Sequence, residues 1–157
     1  MAHQIAGEVS VDVDRAAAFA FLQHPQRLAA CIPGCRDLRE LSPLRYAAVL
    51  ANRVAFMTVS FKVVIEIVRR EPPSAIEATI TGDAVGLAGH VAATAGIQLV
   101  EDDEDKTTIR YVADIALTGT LGGLGQPVFR ATSARLAREF DANLKQAIEA
   151  AWTEAPV

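Results

Sequence analysis

Apolar and polar positions alternate along most of this chain, and the period changes once, near its end. From Gln4 to Val11, Ile5, Gly7, Val9 and Val11 fall on one side, with Glu8 and Ser10 on the other. That is the pattern of a half-buried strand. Asp12 or Asp14 is placed to cap a short helix, Arg15 to Leu22, whose Phe19 and Leu22 lie three apart on one face. Pro25 suits the first position of a second short helix ending at Cys31, and Ile32-Pro33-Gly34 turns the chain. A strand from Cys35 to Leu41 follows. Tyr46, Ala48 and Leu50 then alternate with Ala47, Val49 and Ala51, so the next strand is apolar on both sides. Between Phe56 and Val68 the pattern sharpens. Met57, Val59, Phe61, Val63, Ile65 and Ile67 face one way and Thr58, Ser60, Lys62 and Glu66 the other, which marks a sheet with one wet side. Pro72-Pro73 ends that strand, and Ile76, Ala78 and Ile80 begin another. A Gly-bearing turn from Asp83 to Gly89 leads to Val91, Ala93, Ala95, Ile97 and Leu99. The acidic run Glu101 to Asp105 reads as a solvated hairpin tip, from which Ile109, Tyr111, Ala113, Ile115 and Leu117 return.

The period then becomes helical. From Pro127 to Trp152, Phe129, Ser133, Leu136, Ala137, Phe140, Leu144, Ala147, Ile148 and Ala151 share one arc. Arg130, Arg135, Arg138, Asp141, Lys145 and Glu149 fall outside it. A helix of that length spans about 38 Å and needs a broad apolar surface to lie on. One strand, two short helices, a meander of about six strands and one long helix describe an α+β domain over residues 1–157. A twisted antiparallel sheet of about seven strands tends to curl, and the long helix is expected in its concavity. The pattern fits a filled core and a hollow tunnel equally.

Composition narrows the field. The apolar fraction is 51% but aromatics are only 6%, so the apolar mass is Ala, Val, Leu and Ile, which fill a core or line a smooth cavity. A net charge of −4 argues against a nucleic-acid surface, which needs a clustered basic footprint. No basic segment followed by an apolar one opens the chain, and no run reaches the ~18 apolar residues of a membrane span. With only two cysteines, a cytoplasmic location is expected.

The residues carry little chemistry of their own. Cys31 and Cys35 flank a Pro-Gly turn, yet zinc wants three or four ligands and only His24 lies nearby, so they read as buried free thiols. His3 is terminal, His24 precedes a proline, and His90 shares the wet side of its strand with Thr94 and Gln98. The glycines from Gly119 to Gly125 lack the Lys-Ser/Thr pair of a phosphate loop and open no βαβ unit. They read as a hinge that lets Leu121 and Leu124 fold against the sheet. No Ser/His/Asp set or paired carboxylates stand out, so no cofactor, metal or catalytic residue is assigned. The long helix has a mixed outer face with Arg135–Glu139 and Lys145–Glu149 spacings, weak support for docking to a membrane. Tyr46, Tyr111 and Ser133 are polar groups expected to point inward. Each needs a partner, which is backbone or water in a filled core and a ligand in a hollow one. For Ser133 a bond back to the Phe129 carbonyl is an equally simple solution.

Three segments bear a resemblance. Leu28-Ala29-Ala30-Cys31-Ile32-Pro33-Gly34-Cys35 is similar to the Cys-Ile-Pro-Gly-Cys turn of the CoxG family of carbon monoxide dehydrogenase subunits. Gly82-Asp83-Ala84-Val85-Gly86-Leu87-Ala88-Gly89 resembles its Gly-rich turn between central strands. The segment from Thr107 to Gln126 resembles a third part of that family, with Tyr111-Val112-Ala113-Asp114 leading to Gly119-Thr120-Leu121-Gly122-Gly123-Leu124-Gly125. The order of elements resembles the helix-grip fold of the START and birch-pollen-allergen (SRPBCC) superfamily. One departure stands out: Asn52-Arg53-Val54-Ala55-Phe56 replaces the family's usual Val-Gly-Pro turn.

The resemblance implies an accessory protein of a molybdenum hydroxylase, holding a lipid or quinone-like molecule under the long helix. It also implies contact with the hydroxylase subunits and, for such a ligand, with the inner face of the membrane. The expected lining is Tyr46, Leu50, Phe61, Ile80, Val91, Tyr111 and Ile115 on the sheet and Phe129, Ser133, Leu136 and Phe140 on the helix. Ile32, Pro33, Leu121 and Leu124 are expected at the mouth. Two alternatives stay open. One is a cyclase or dehydratase on the same scaffold, with Tyr46 or Tyr111 assisting proton transfer. The other is a protein-interaction module with a filled core.

Overall fold

The computed structural model describes residues 2–54, 57–103, 105–119 and 126–154. Strand β1 (Ala2–Val11) leads to helices α1 (Arg15–Leu22) and α2 (Pro25–Cys31). Six strands follow: β2 (Cys35–Ser42), β3 (Arg45–Val54), β4 (Met57–Glu71), β5 (Ala75–Ala84), β6 (Gly89–Asp103) and β7 (Lys106–Gly119). Helix α3 (Gln126–Glu154) comes last. The strands form one antiparallel sheet in the order β1-β7-β6-β5-β4-β3-β2. β1 and β2 are therefore its two edges, and α1 and α2 carry the chain from one to the other. α3 touches β1 on one side and β3 on the other, so the sheet wraps it. Among the described residues no helix is long and apolar enough to cross a membrane.

One phase runs from β1 to β3, because the ladders hold their register through the middle of the sheet. His3, Ile5, Gly7 and Val9 oppose Ile115, Ala113, Tyr111 and Ile109. These in turn oppose Ala93, Ala95, Ile97 and Leu99. The same phase continues through Ile80, Ala78 and Ile76 to Phe61, Val63, Ile65 and Ile67 and on to Leu50, Ala48 and Tyr46. The alternation read from the sequence thus becomes one apolar concave wall. Its upper end is closed by a core of Val9, Val11, Val13, Phe19, Leu22, Ile109, Leu144 and Ile148.

Local signals explain most boundaries. The Asp14 carboxylate accepts from the Ala17 amide at 2.7 Å and caps α1. Pro25 opens α2 at a position where its missing N–H costs nothing. The Arg135–Glu139 and Lys145–Glu149 pairs form at 3.6 and 3.2 Å, worth a few tenths of a kcal/mol each on an exposed face.

Two features differ from the sequence reading. The β1 alternation continues to His3, which is buried. β4 runs to Glu71 and ends at Pro72-Pro73 as expected, but it passes through a bulge between Ile67 and Arg69 that the alternation does not show. The Gly-rich segment after Gly119, with Leu121 and Leu124, lies outside the described residues.

The Cys31–Cys35 turn is fitted to β3. Gly34 has φ +77°, and a Cβ there would run into the Ala51 carbonyl. The Ala51 amide donates to the Gly34 carbonyl at 2.9 Å. Gly34→Ala therefore combines left-handed strain with a backbone clash, a loss of about 2–4 kcal/mol. Urea unfolding should show a lower midpoint at an unchanged slope; an unaltered midpoint would mean the turn relaxes freely.

Candidate functional site

α3 is sealed against the core over only one half. Leu144 and Ile148 are 0% and 2% exposed. Phe129, Ser133, Leu136 and Phe140 lie on the same arc but keep part of their surface accessible. The cause is on the sheet. Ala78, Ala95 and Ala113 are successive cross-strand partners on β5, β6 and β7. Their row lies between the row of Tyr111, which meets α3 at Asp141, and the row of His3 and Ile115, which meets it at Phe129. A methyl group cannot reach as far as the Leu and Ile pairs that normally fill an interior to close packing. The three alanines retain accessible surface although they lie on the helix-covered face. Beside them Ala48, Val63 and Val91 form a second apolar cluster with Leu50, Phe61, Ile80, Ile115 and Leu117, and no described α3 residue joins it.

Polar groups lie along this half of α3 and the wall it faces. The Ser133 hydroxyl is buried and has no hydrogen-bond partner among the described residues, and the bond back to the Phe129 carbonyl does not form. Its neighbour Thr132 makes such a bond instead, to the Val128 carbonyl at 2.9 Å. The His3 ring stacks on Phe129 with centroids 3.8 Å apart and planes 17° from parallel. Tyr111 crosses over Gly7, where any Cβ would strike its ring, and its hydroxyl donates to the Asp141 carboxylate. Phe140 meets the same ring edge-on at 4.9 Å. Burial first, and the Asp141 bond and charge second, push the Tyr111 phenol well above its ordinary value. Tyr111 is therefore a neutral, committed donor, a poor candidate for moving protons near neutral pH.

The turn between α2 and β2 is a strap from helix to sheet. The Asn143 amide of α3 donates to the Cys31 carbonyl at 3.1 Å, and the Asn52 amide of β3 donates to the Pro33 carbonyl at 3.2 Å. Arg135 of α3 reaches the Arg53 carbonyl at 2.6 Å. Cys31 is buried and Cys35 half-buried; both are free, and burial pushes both thiols up, away from the reactive thiolate. Among the described residues no three His, Cys, Asp or Glu side chains converge as a metal site.

The model of one family, the CoxG subunit of carbon monoxide dehydrogenase, matches residues 7–149. The chain belongs to that family. No curated protein matches this CoxG chain. Among solved structures, a conserved protein from Geobacillus kaustophilus is similar at 21% identity and TM-score 0.84, covering 95% of this chain and 97% of that one. A START superfamily protein from Mycobacterium smegmatis has 9% identity and TM-score 0.71, with 95% and 99% covered. The Zhui aromatase/cyclase from Streptomyces sp. R1128 has 12% identity and TM-score 0.70, with 95% and 94% covered. At such identities the likeness establishes the helix-grip architecture alone.

The residues singled out in the sequence separate into two places. Leu50, Phe61, Ile80, Val91 and Ile115 gather in the second apolar cluster, and Phe129, Ser133, Leu136 and Phe140 lie along the partly open half of α3. Tyr111 stands at the boundary, held by Asp141. Tyr46 and Ile32 instead line a cavity of about 90 Å3 between α2 and strands β2 to β5, to which no described α3 residue contributes. Pro33 belongs to the strap, and Leu121 and Leu124 fall outside the described residues. The sequence reading misses His3, Asp141, Asn52, Asn143 and Arg70. Of these only His3 has a readable signal, its place in the β1 alternation.

Because its pKa is raised on folding, Tyr111 contributes stability that is complete below the unfolded value of 10.0 and is lost as pH rises towards the folded one. Tyr111→Phe should cost about 1–2 kcal/mol at neutral pH. It should also flatten the decline in stability above about pH 10. Thermal unfolding of both proteins across alkaline pH checks this, and parallel curves would mean the Asp141 bond carries no stability.

Proposed function

We propose that this CoxG chain carries an apolar small molecule, lipid or quinone-like, between α3 and the concave wall, as an accessory protein of a molybdenum hydroxylase. The observation that carries the reading is the half-sealed helix: the partly accessible Phe129–Phe140 arc above the Ala78–Ala95–Ala113 row. Natural interiors are close-packed, and apolar concavities with few polar groups are the usual small-molecule sites. The lining would be Leu50, Phe61, Ile80, Val91 and Ile115 on the sheet and Phe129, Ser133, Leu136 and Phe140 on the helix. Ser133 is the hydrogen-bond donor for a carbonyl or hydroxyl of the ligand, since its hydroxyl has no partner among the described residues. Membership of the CoxG family supports the accessory role, with hydroxylase subunits as partners and a membrane-resident ligand met at the cytoplasmic face. A catalytic reading in which Tyr111 transfers protons is disfavoured by its neutral, Asp141-bound state.

Mass spectrometry of an organic extract from the purified, unheated protein tests the reading. A stoichiometric isoprenoid or lipid, absent from a denatured control, is expected. Leu136→Trp should abolish its retention while the protein stays folded; an unchanged yield would place the ligand elsewhere. Ser133→Ala should leave the empty protein as stable or more so, because an unsatisfied buried hydroxyl is removed, and should weaken ligand binding by about 0.5–1.5 kcal/mol. Calorimetry of the empty protein and displacement of the extracted ligand separate the two effects. Co-purification with hydroxylase subunits after cross-linking is expected, and its failure in cells expressing them would remove the accessory role.

A further inference from the structure

The cavity between α2 and the sheet has a feature that the α3 groove lacks, a cation turned inward by a defect in the sheet. Upstream of Val68 the concave residues of β4 are odd-numbered, ending with Ile67 opposite Ala78. The bulge makes Val68 an extra residue, so Arg69 pairs with Glu77 and Arg70 with Ile76. Ile76 is a concave residue, 5% exposed and aligned with Ile97. The phase of β4 has therefore flipped. Arg69 goes to the outer face, where it pairs with Glu71 at 2.7 Å and Glu77 at 3.2 Å. Arg70 turns to the inner face and lines the cavity. Bulges characteristically re-aim a side chain next to a site.

Among the described residues Arg70 has neither an ion pair nor a hydrogen-bond partner, and no carboxylate lines the cavity. The rest of the wall is apolar, including Leu28, Ile32 and Ile76, except for Gln23 and the Tyr46 phenol, which likewise has no described hydrogen-bond partner. Arg70 itself stays exposed, so it marks the mouth and the apolar residues mark the depth. An unpaired guanidinium above an apolar hole fits one kind of ligand, a carboxylate with a compact apolar tail. The volume, about 90 Å3, sets the tail length. A cavity of about 150 Å3 holds benzene, so this one takes roughly four carbons.

We propose that this cavity is a second binding site, for a short-chain aliphatic monocarboxylate whose tail enters between α2 and β3–β5 and whose carboxylate is held by Arg70. The site is independent of whatever the α3 groove carries. Titration of the full chain with pentanoate, followed by methyl NMR, tests it, with pentanol as a neutral match. Pentanoate should shift the Leu28 and Ile76 methyls and bind about ten-fold more tightly than pentanol. Arg70→Gln, a surface change that leaves the fold intact, should bring pentanoate down to the pentanol level and leave pentanol unchanged. Ala29→Phe, which fills the cavity from α2, should abolish both. Equal binding of the two probes, an unaffected Arg70→Gln protein, retained affinity in Ala29→Phe, or no shift at those methyls would each overturn the proposal. The yield of lipid in the organic extract should not change with Arg70→Gln, so the two sites succeed or fail separately.

Discussion

The structure depends on how α3 is anchored. Leu144 and Ile148 are buried in the core formed with β1, β7 and α1, which closes the upper end of the sheet. About 43 Å of helix is thus held firmly over its C-terminal half, and the remainder projects over the concave wall. A helix is stiff, so an anchor at one end fixes the height of the other. What faces the other half is then decided by the sheet, which offers only the methyl groups of Ala78, Ala95 and Ala113 in the row between Tyr111 and Ile115. The partial exposure of the Phe129–Phe140 arc goes with an anchor in one place and small side chains in another.

The polar contacts around this arc all tie α3, or the strap, to the sheet. Tyr111 of β7 reaches Asp141, Asn143 reaches Cys31, Asn52 reaches Pro33, and Arg135 reaches the Arg53 carbonyl. All but the exposed Arg135 contact satisfy a group that would be costly to leave unpaired in a partly buried place. Together they fix the spacing between helix and wall. Asn52 and Arg53 lie in the segment where the chain departs from the family's usual Val-Gly-Pro turn. In this protein that segment is therefore part of the tie between β3, the strap and α3.

Most of the architecture is legible in the sequence because each element obeys its own period. The alternation from Met57 to Ile67 and the arc from Phe129 to Ala151 give the concave wall and the helix that covers it. Gly34 and Pro25 mark the turns for reasons of backbone geometry alone. The candidate site is legible only in outline. Phase puts Leu50, Phe61 and Ile80 on the correct face, but phase does not say whether a face is covered. Asp141 reads as an outer residue because it sits at the margin of the arc, and nothing in its sequence neighbourhood announces a phenol arriving from β7. His3 reads only as a terminal residue, since end residues are commonly frayed, although its position in the β1 alternation is visible.

Arg70 shows the limit most clearly. Period-2 reasoning assigns every residue of a strand from any one of them, so a single inserted residue reverses every assignment beyond it. Ile67-Val68-Arg69-Arg70 contains no glycine or proline to mark the slip, and both arginines look like solvated charges. The partners on β5 decide which one turns inward. Glu77 lies on the outer face opposite Arg69 and gives it an ion pair, whereas Ile76 lies on the inner face and offers Arg70 nothing polar. The sheet satisfies one arginine and leaves its neighbour unpaired at the mouth of an apolar cavity. A strand without the bulge would have put Arg69 on the inner face and left Glu77 without its cation.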